Sequence, residues 1–212
     1  MQQWDDTDPA PVREAREHLR MIRELMERST RYSTFSGLSG VFAGLVSIAG
    51  CLVQGLYILT LPPERRELPF LVNWGLVALL AIGIDFLLTK RRALAVGKRI
   101  RSRLGKQMAM AAAPGLGLGA LLTLFFLQHG LMDQVYPFWM LSYGCAVCAV
   151  GLFSQRSVSR LGAAFVAAGA ATILIEALVS FPPGMLGLVM MGISAGGFHI
   201  FYGIAVSRRD GW

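Results

Sequence analysis

Six long apolar runs, at roughly 35–61, 68–89, 108–128, 137–154, 161–180 and 184–206, decide what this chain can fold into. Each is close to the ~20 residues an α-helix needs to cross the hydrocarbon core of a bilayer. Hydrocarbon offers no partner to backbone N–H and C=O groups. A spanning segment must therefore pair them within itself, which an isolated run of this length does only as a helix. Of 212 residues, 54% are hydrophobic, and the mean hydropathy is +0.53. The expected fold is all-α: a polytopic membrane protein with six transmembrane helices as three hairpins, covering 34–207. The polar, charged stretch 1–33 reads as an arm and argues against a cleavable signal peptide.

The basic residues orient the bundle. Of 20 Lys and Arg, Arg13, Arg16, Arg20, Arg23, Arg28 and Arg31 precede the first run. A second group, from Lys90 to Lys106, lies between runs two and three, and Arg156, Arg160, Arg208 and Arg209 follow runs four and six. Only Arg65 and Arg66 fall on the other side, beside Glu64 and Glu67. Cytoplasmic loops carry the excess of Lys and Arg, so both termini are expected inside (N-in, C-in). The chain is placed as a multi-pass protein of a bacterial cytoplasmic (inner) membrane. The net charge of +7 is thereby a topology signal, and no direct nucleic-acid binding is expected from it.

Within the arm, Asp8-Pro9 suits a helix start, and an amphipathic cytoplasmic helix is expected over about 10–30. Val12, Ala15, Leu19, Ile22 and Met26 form one narrow apolar stripe, with opposite charges four apart beside it. Such a stripe fits a partner helix better than a lipid surface, so Val12, Leu19, Ile22 and Met26 are partner-contact candidates. Arg99, Arg101 and Arg103 join them from the basic cytoplasmic loop, 90–107. That loop contains no acidic residue and no Gly-rich phosphate cradle, so its plain role is an anchor on anionic headgroups. Tyr57, Trp74, Tyr136, Phe138, Trp139, Phe181 and Trp212 cluster toward predicted helix ends, as an interfacial belt would.

Ionisable groups inside a span are costly and suspect. Asp85 and His199 fall in the cytoplasmic half of their runs, and Glu176 lies near the outer end of run five. They are the intramembrane functional candidates, as a proton path or as locally paired structural groups. No metal site is expected, because no His-x-x-x-His or Glu-x-x-His cluster exists and Cys145-x-x-Cys148 lies in mid-helix.

Gly37-Leu38-Ser39-Gly40 resembles the Gly-x-Ser-Gly of rhomboid intramembrane proteases, with His199 far downstream as the candidate base. That family places its serine on the fourth core helix, open to the extracytoplasmic side. Here Ser39 is on the first helix and faces inward. The packing reading explains more: Ser36, Gly40 and Gly44 recur every four residues, and run six answers with Gly192, Gly196 and Gly203. Small residues let transmembrane backbones approach closely. No catalytic residue is assigned; Ser39 and His199 remain the pair that a hydrolase would need.

IRELMERSTRYSTFSGLSGVFAG, FWMLSYG and GGFHIFYGIAVSRRDG together resemble a family of small bacterial six-helix inner-membrane proteins of unassigned activity, often encoded beside a winged-helix transcriptional regulator. The resemblance implies a cytoplasmic regulator as partner, and Ser154 and His199 as notable polar positions. The expected function is non-catalytic: a membrane scaffold or sensor subunit that binds a protein partner or a second copy of itself, or a small hydrophobic ligand. The alternative is a small transporter or channel using Asp85, His199 and Glu176; an intramembrane hydrolase comes third. No cofactor is expected beyond membrane lipid or a hydrophobic ligand between helices.

Topology is directly testable. With the native cysteines replaced by serine, a cysteine at Arg65 is expected to react with a membrane-impermeant maleimide on intact cells. One at Lys98 is expected to react only after lysis. The reverse pattern would invert the orientation.

Overall fold

The computed structural model describes residues 14, 17–21, 37–95 and 103–210. Among these the chain is almost entirely helical, with short turns between helices and no strand. The elements are α1 (Gly37–Leu56), α2 (Glu67–Ala95), α3 (Arg103–Gln128), α4 (Val135–Gly151), α5 (Arg156–Leu178) and α6 (Met185–Met191). α6 continues through a π-helical stretch, Gly192–Phe198, into α7 (His199–Asp210). Each apolar run of the sequence contains one helical rod. Five segments are long and apolar enough to cross a membrane: Gly37–Thr60, Glu67–Arg91, Leu104–Gln128, Arg156–Leu178 and Met185–Arg208. The remaining rod, α4, has 17 residues. Residues 14 and 17–21 are helical, and Leu19 of the expected stripe is 66% exposed. Val12, Ile22, Met26, Ser36, Arg99 and Arg101 lie outside the described residues, and Arg103 opens α3.

Two groups of helices make the bundle. α1 packs on α2 along one side and on the π stretch and α7 along the other. α4 sits between α3 and α5. The groups join where α6 and the π stretch meet α4 and α5. No hydrophobic effect drives helices together inside lipid, so backbone proximity has to supply dispersion contact instead. Glycine provides it in both groups. A Cβ on Gly40 would lie 3.1 Å from the Cα of Gly203, and one on Gly44 would lie 2.6 Å from the Gly196 carbonyl. Gly203 faces Val41 and the carbonyl of Gly37 in the same way, and Gly192 has only Cys51 near it, at 3.8 Å. In the second group, a Cβ on Gly144 would meet the Gly162 carbonyl at 2.8 Å, and one on Gly169 would meet the Pro137 carbonyl at 2.9 Å.

α2 is attached differently. Of its described side chains only Phe70 is buried, and Leu68, Leu76, Leu79, Ile82 and Leu87 point away from the protein. It leans chiefly on α1, where Asn73 Nδ2 donates to the Gly50 carbonyl at 3.1 Å. It does not pack against α3 as a helix pair. At the loop end of the bundle, Arg66 donates from Nε to the Leu61 carbonyl at 2.7 Å and from Nη2 to the Leu59 carbonyl at 2.8 Å. The 180–184 turn closes with Gly184 at φ +73°, and a Cβ there would strike Asp133. Left-handed backbone and close approach both require glycine at that position.

Overpacking these contacts should be costly. Gly44→Val is expected to destabilise the detergent-solubilised protein by about 2 kcal/mol or more, read as a fall in thermal midpoint. Gly83→Ala and Gly117→Ala, whose added Cβ meets nothing within 4 Å, should change stability by less than ~0.5 kcal/mol. Equal effects at all three positions would refute the packing assignment.

Candidate functional site

A cavity of about 480 Å³ lies at the meeting of the two helix groups, with α2 and α3, which do not pack together, among its walls. Its walls follow helical spacing. α4 presents Tyr136, Trp139, Met140 and Tyr143, at i, i+3, i+4 and i+7. α2 presents Phe70, Trp74, Val77, Ala78 and Ala81, α3 adds Ala120, Thr123 and Leu124, and α1 adds Ala43 and Ser47. Met191, Ala195 and His199 come from the π stretch and its flanks, spaced four apart. π-helical turns are rare and recur at functional sites.

The lining is almost wholly apolar, and the polar groups of its middle and inner part are tied to the protein. Ser47 donates to the Ala43 carbonyl and Thr123 to the Gly119 carbonyl, each at 2.8 Å. Trp139 Nε1 donates to Thr123 Oγ1 at 2.7 Å. His199 Nδ1 lies 2.9 Å from the Ala195 carbonyl, which can only accept, so Nδ1 carries the ring proton. In the uncharged imidazole Nε2 is then the acceptor, and the Tyr143 hydroxyl donates to it at 2.8 Å. Phe165 packs edge-on against both rings, with centroids 4.9 Å from Tyr143 and 5.2 Å from His199.

Ser39 and His199 do not form a dyad. The Ser39 hydroxyl is hydrogen-bonded to Asp85 across the α1–α2 contact, and His199 is engaged by Tyr143 and Ala195. Asp85 lies within electrostatic reach of Tyr143, so α2, α4 and α7 bring Asp85, Tyr143 and His199 into one neighbourhood. Glu176 stands apart from it, near Asp133 at the other end of the bundle. There, burial pushes the Asp133 carboxyl above its ordinary range, and the Arg66 guanidinium draws it part of the way back. Cys145 is exposed, whereas Cys148 is half-buried and donates weakly to the Ser159 carbonyl. Among the described residues no group of three His, Cys, Asp or Glu could hold a metal ion. Ser154 is buried at the α4–α5 turn, away from the cavity lining.

The sequence reading missed Tyr143, Thr123 and Phe165 as site residues. It assigned Trp74, Tyr136 and Trp139 to an interfacial belt; Tyr136 is 2% exposed and all three line the cavity. Tyr57 and Phe181 do remain on the surface. Gln54 was missed as well. It shares a face of α1 with Ala43 and Ser47, is fully buried, and its amide nitrogen and oxygen find no hydrogen-bond partner.

The fold and site define a multi-pass helical membrane protein with an internal apolar cavity. Comparison with protein-family models, curated proteins and solved structures finds no match to this chain.

An orphaned buried amide costs about 1–3 kcal/mol per polar group. Gln54→Leu, which keeps the volume and removes both groups, is therefore expected to raise the thermal midpoint. A fall would mean that the amide is satisfied in the membrane.

Proposed function

We propose that this chain is a non-catalytic subunit of a bacterial inner membrane, with six spans and both termini cytoplasmic, that binds a small hydrophobic ligand between its helices. The observation that carries the reading is the cavity: about 480 Å³, nearly all apolar, and bordered by the α2 and α3 walls that do not pack together. Ligand sites of a few hundred Å³ with a few placed polar groups are the usual form of small-molecule pockets. Lateral access from the bilayer suits a ligand that is itself dissolved in lipid.

Conduction is less well supported. A proton path would have to join the Asp85–Tyr143–His199 neighbourhood to Glu176, and the cavity offers it an apolar wall. Hydrolysis lacks its nucleophile–base contact, because Ser39 is engaged by Asp85. The scaffold or sensor role draws on the arm stripe, on the basic segment 90–107 and on the resemblance to proteins encoded beside a winged-helix regulator. Together they favour a cytoplasmic protein partner that responds to occupancy of the cavity.

Gly75→Phe tests the ligand reading. Gly75 lines the cavity on the peripheral helix α2, and a Cβ there meets nothing within 4 Å, so a ring can enter without disturbing the core. Native mass spectrometry of the wild type is expected to show a discrete lipid-sized adduct. The variant, still folded by thermal midpoint, should lose at least about nine-tenths of it. An adduct of equal abundance in both would sink the proposal.

A further inference from the structure

The hydrogen-bond directions at the inner end of the cavity restrict the head group of what enters it. The protons of Ser47, Thr123, Trp139, Tyr143 and His199 are all given to acceptors within the protein. Trp74 Nε1 has no partner, but it is itself buried and stands at the other end, beside Phe70 and Tyr136. A ligand carbonyl, ether or ester placed there would find no donor and would lose its own hydration without replacement. What remains on offer is lone pairs: those of the Tyr143 phenol oxygen and the Thr123 hydroxyl, with the Asp85 carboxyl in electrostatic reach of Tyr143. An ionised head is disfavoured in addition, because the lining provides no cation to pair with it.

We propose that the cavity selects a long-chain or isoprenoid alcohol, whose single hydroxyl donates to the Tyr143 oxygen while its chain runs past Trp139 and Val77 toward Phe70, Trp74 and Tyr136. The inference rests on the ligand reading given above. The volume has room for on the order of 15 water-sized groups, which suits one chain and not a two-chain phospholipid. His199 acts as a positioning residue: by accepting the Tyr143 proton it turns a group that could donate into one that only accepts.

The test uses the full chain in nanodiscs, with Trp4→Phe and Trp212→Phe leaving Trp74 and Trp139 as reporters in the cavity wall. Their fluorescence is quenched by 9,10-dibromooctadecanol, by its methyl ether and by the matching aldehyde, each titrated by mole fraction in the bilayer. The alcohol is expected to reach half-quenching at a mole fraction about three- to tenfold lower than the ether or the aldehyde. Gly75→Phe should erase that difference. In His199→Leu the Tyr143 proton is released, and the preference should pass to the aldehyde, an outcome that a purely structural role for His199 does not produce. Alcohol and ether quenching alike, with both weakened by Gly75→Phe, would overturn the head-group rule and keep the cavity as a ligand site. A stronger effect of ether or aldehyde on the wild type would also overturn it. Quenching indifferent to Gly75→Phe would remove the ligand reading itself. The wild-type comparison decides the question even if His199→Leu fails to fold.

Discussion

Inside hydrocarbon a buried polar hydrogen has no water to turn to, and much of this structure is arranged around that shortage, the unpaired Gln54 amide and Trp74 Nε1 being exceptions. The backbones solve it by becoming helices. The hydroxyls of Ser47, Thr123 and Thr172 solve it by donating to a carbonyl one turn back in their own helices. Trp139 and Tyr143 have no such local solution, because their donors sit at the end of rigid rings. They reach to neighbouring helices instead, Trp139 to Thr123 and Tyr143 to His199. These two side-chain bonds link α4 to α3 on one flank and to α7 on the other. They also leave the inner cavity wall without a proton to offer.

The same shortage explains why glycine carries the packing. Where no hydrophobic force draws helices together, contact area between backbones has to do so, and any Cβ between α1 and α7 would hold them apart. The two helix groups are each closed by such contacts, around Gly40–Gly203 and around Gly144–Gly162. α2 has no equivalent contact with α3. A void therefore forms where the second group faces the least constrained helix.

Much of this was legible in one dimension. Run length and the distribution of Lys and Arg suffice to propose rods and an orientation, and the four-residue spacing of Ser36, Gly40 and Gly44 marks a face on which a backbone can lie. The seven-residue recurrences Gly144/Gly151 and Gly162/Gly169 carried a comparable signal for the α4–α5 contact that the reading passed over. The cavity was not legible. An almost wholly apolar helix such as α4 shows no polar face to separate inside from outside, so Trp139 near a run's end looks like a belt residue. The meeting of Tyr143 with His199, 56 residues apart, has no periodic signature, nor does the change to π winding over Gly192–Phe198. One of the two intramembrane carboxylates gave a partial clue. Asp85 was suspect because it was expensive, but its partner proved to be Ser39, the residue that had drawn attention as a nucleophile.

That pairing bears on how a ligand could be felt elsewhere. α2 is held to α1 by Asn73, two turns from its start, and by Asp85–Ser39 toward its basic end. The cavity wall lies against the stretch from Phe70 to Ala81, which spans the first of these ties and stops short of the second. A helix with an open outer face and only local fastenings yields to a load on its wall before a glycine-packed helix does, because fewer contacts must break. Load applied there is resisted by a hydrogen bond between a buried carboxylate and a serine on α1, and beyond that bond α2 runs on through Lys90 and Arg91. The α2 wall of the cavity and the first basic residues after it, Lys90 and Arg91, thus lie on one continuous helix, whereas α7, which carries His199, is fixed to α1 by backbone contact.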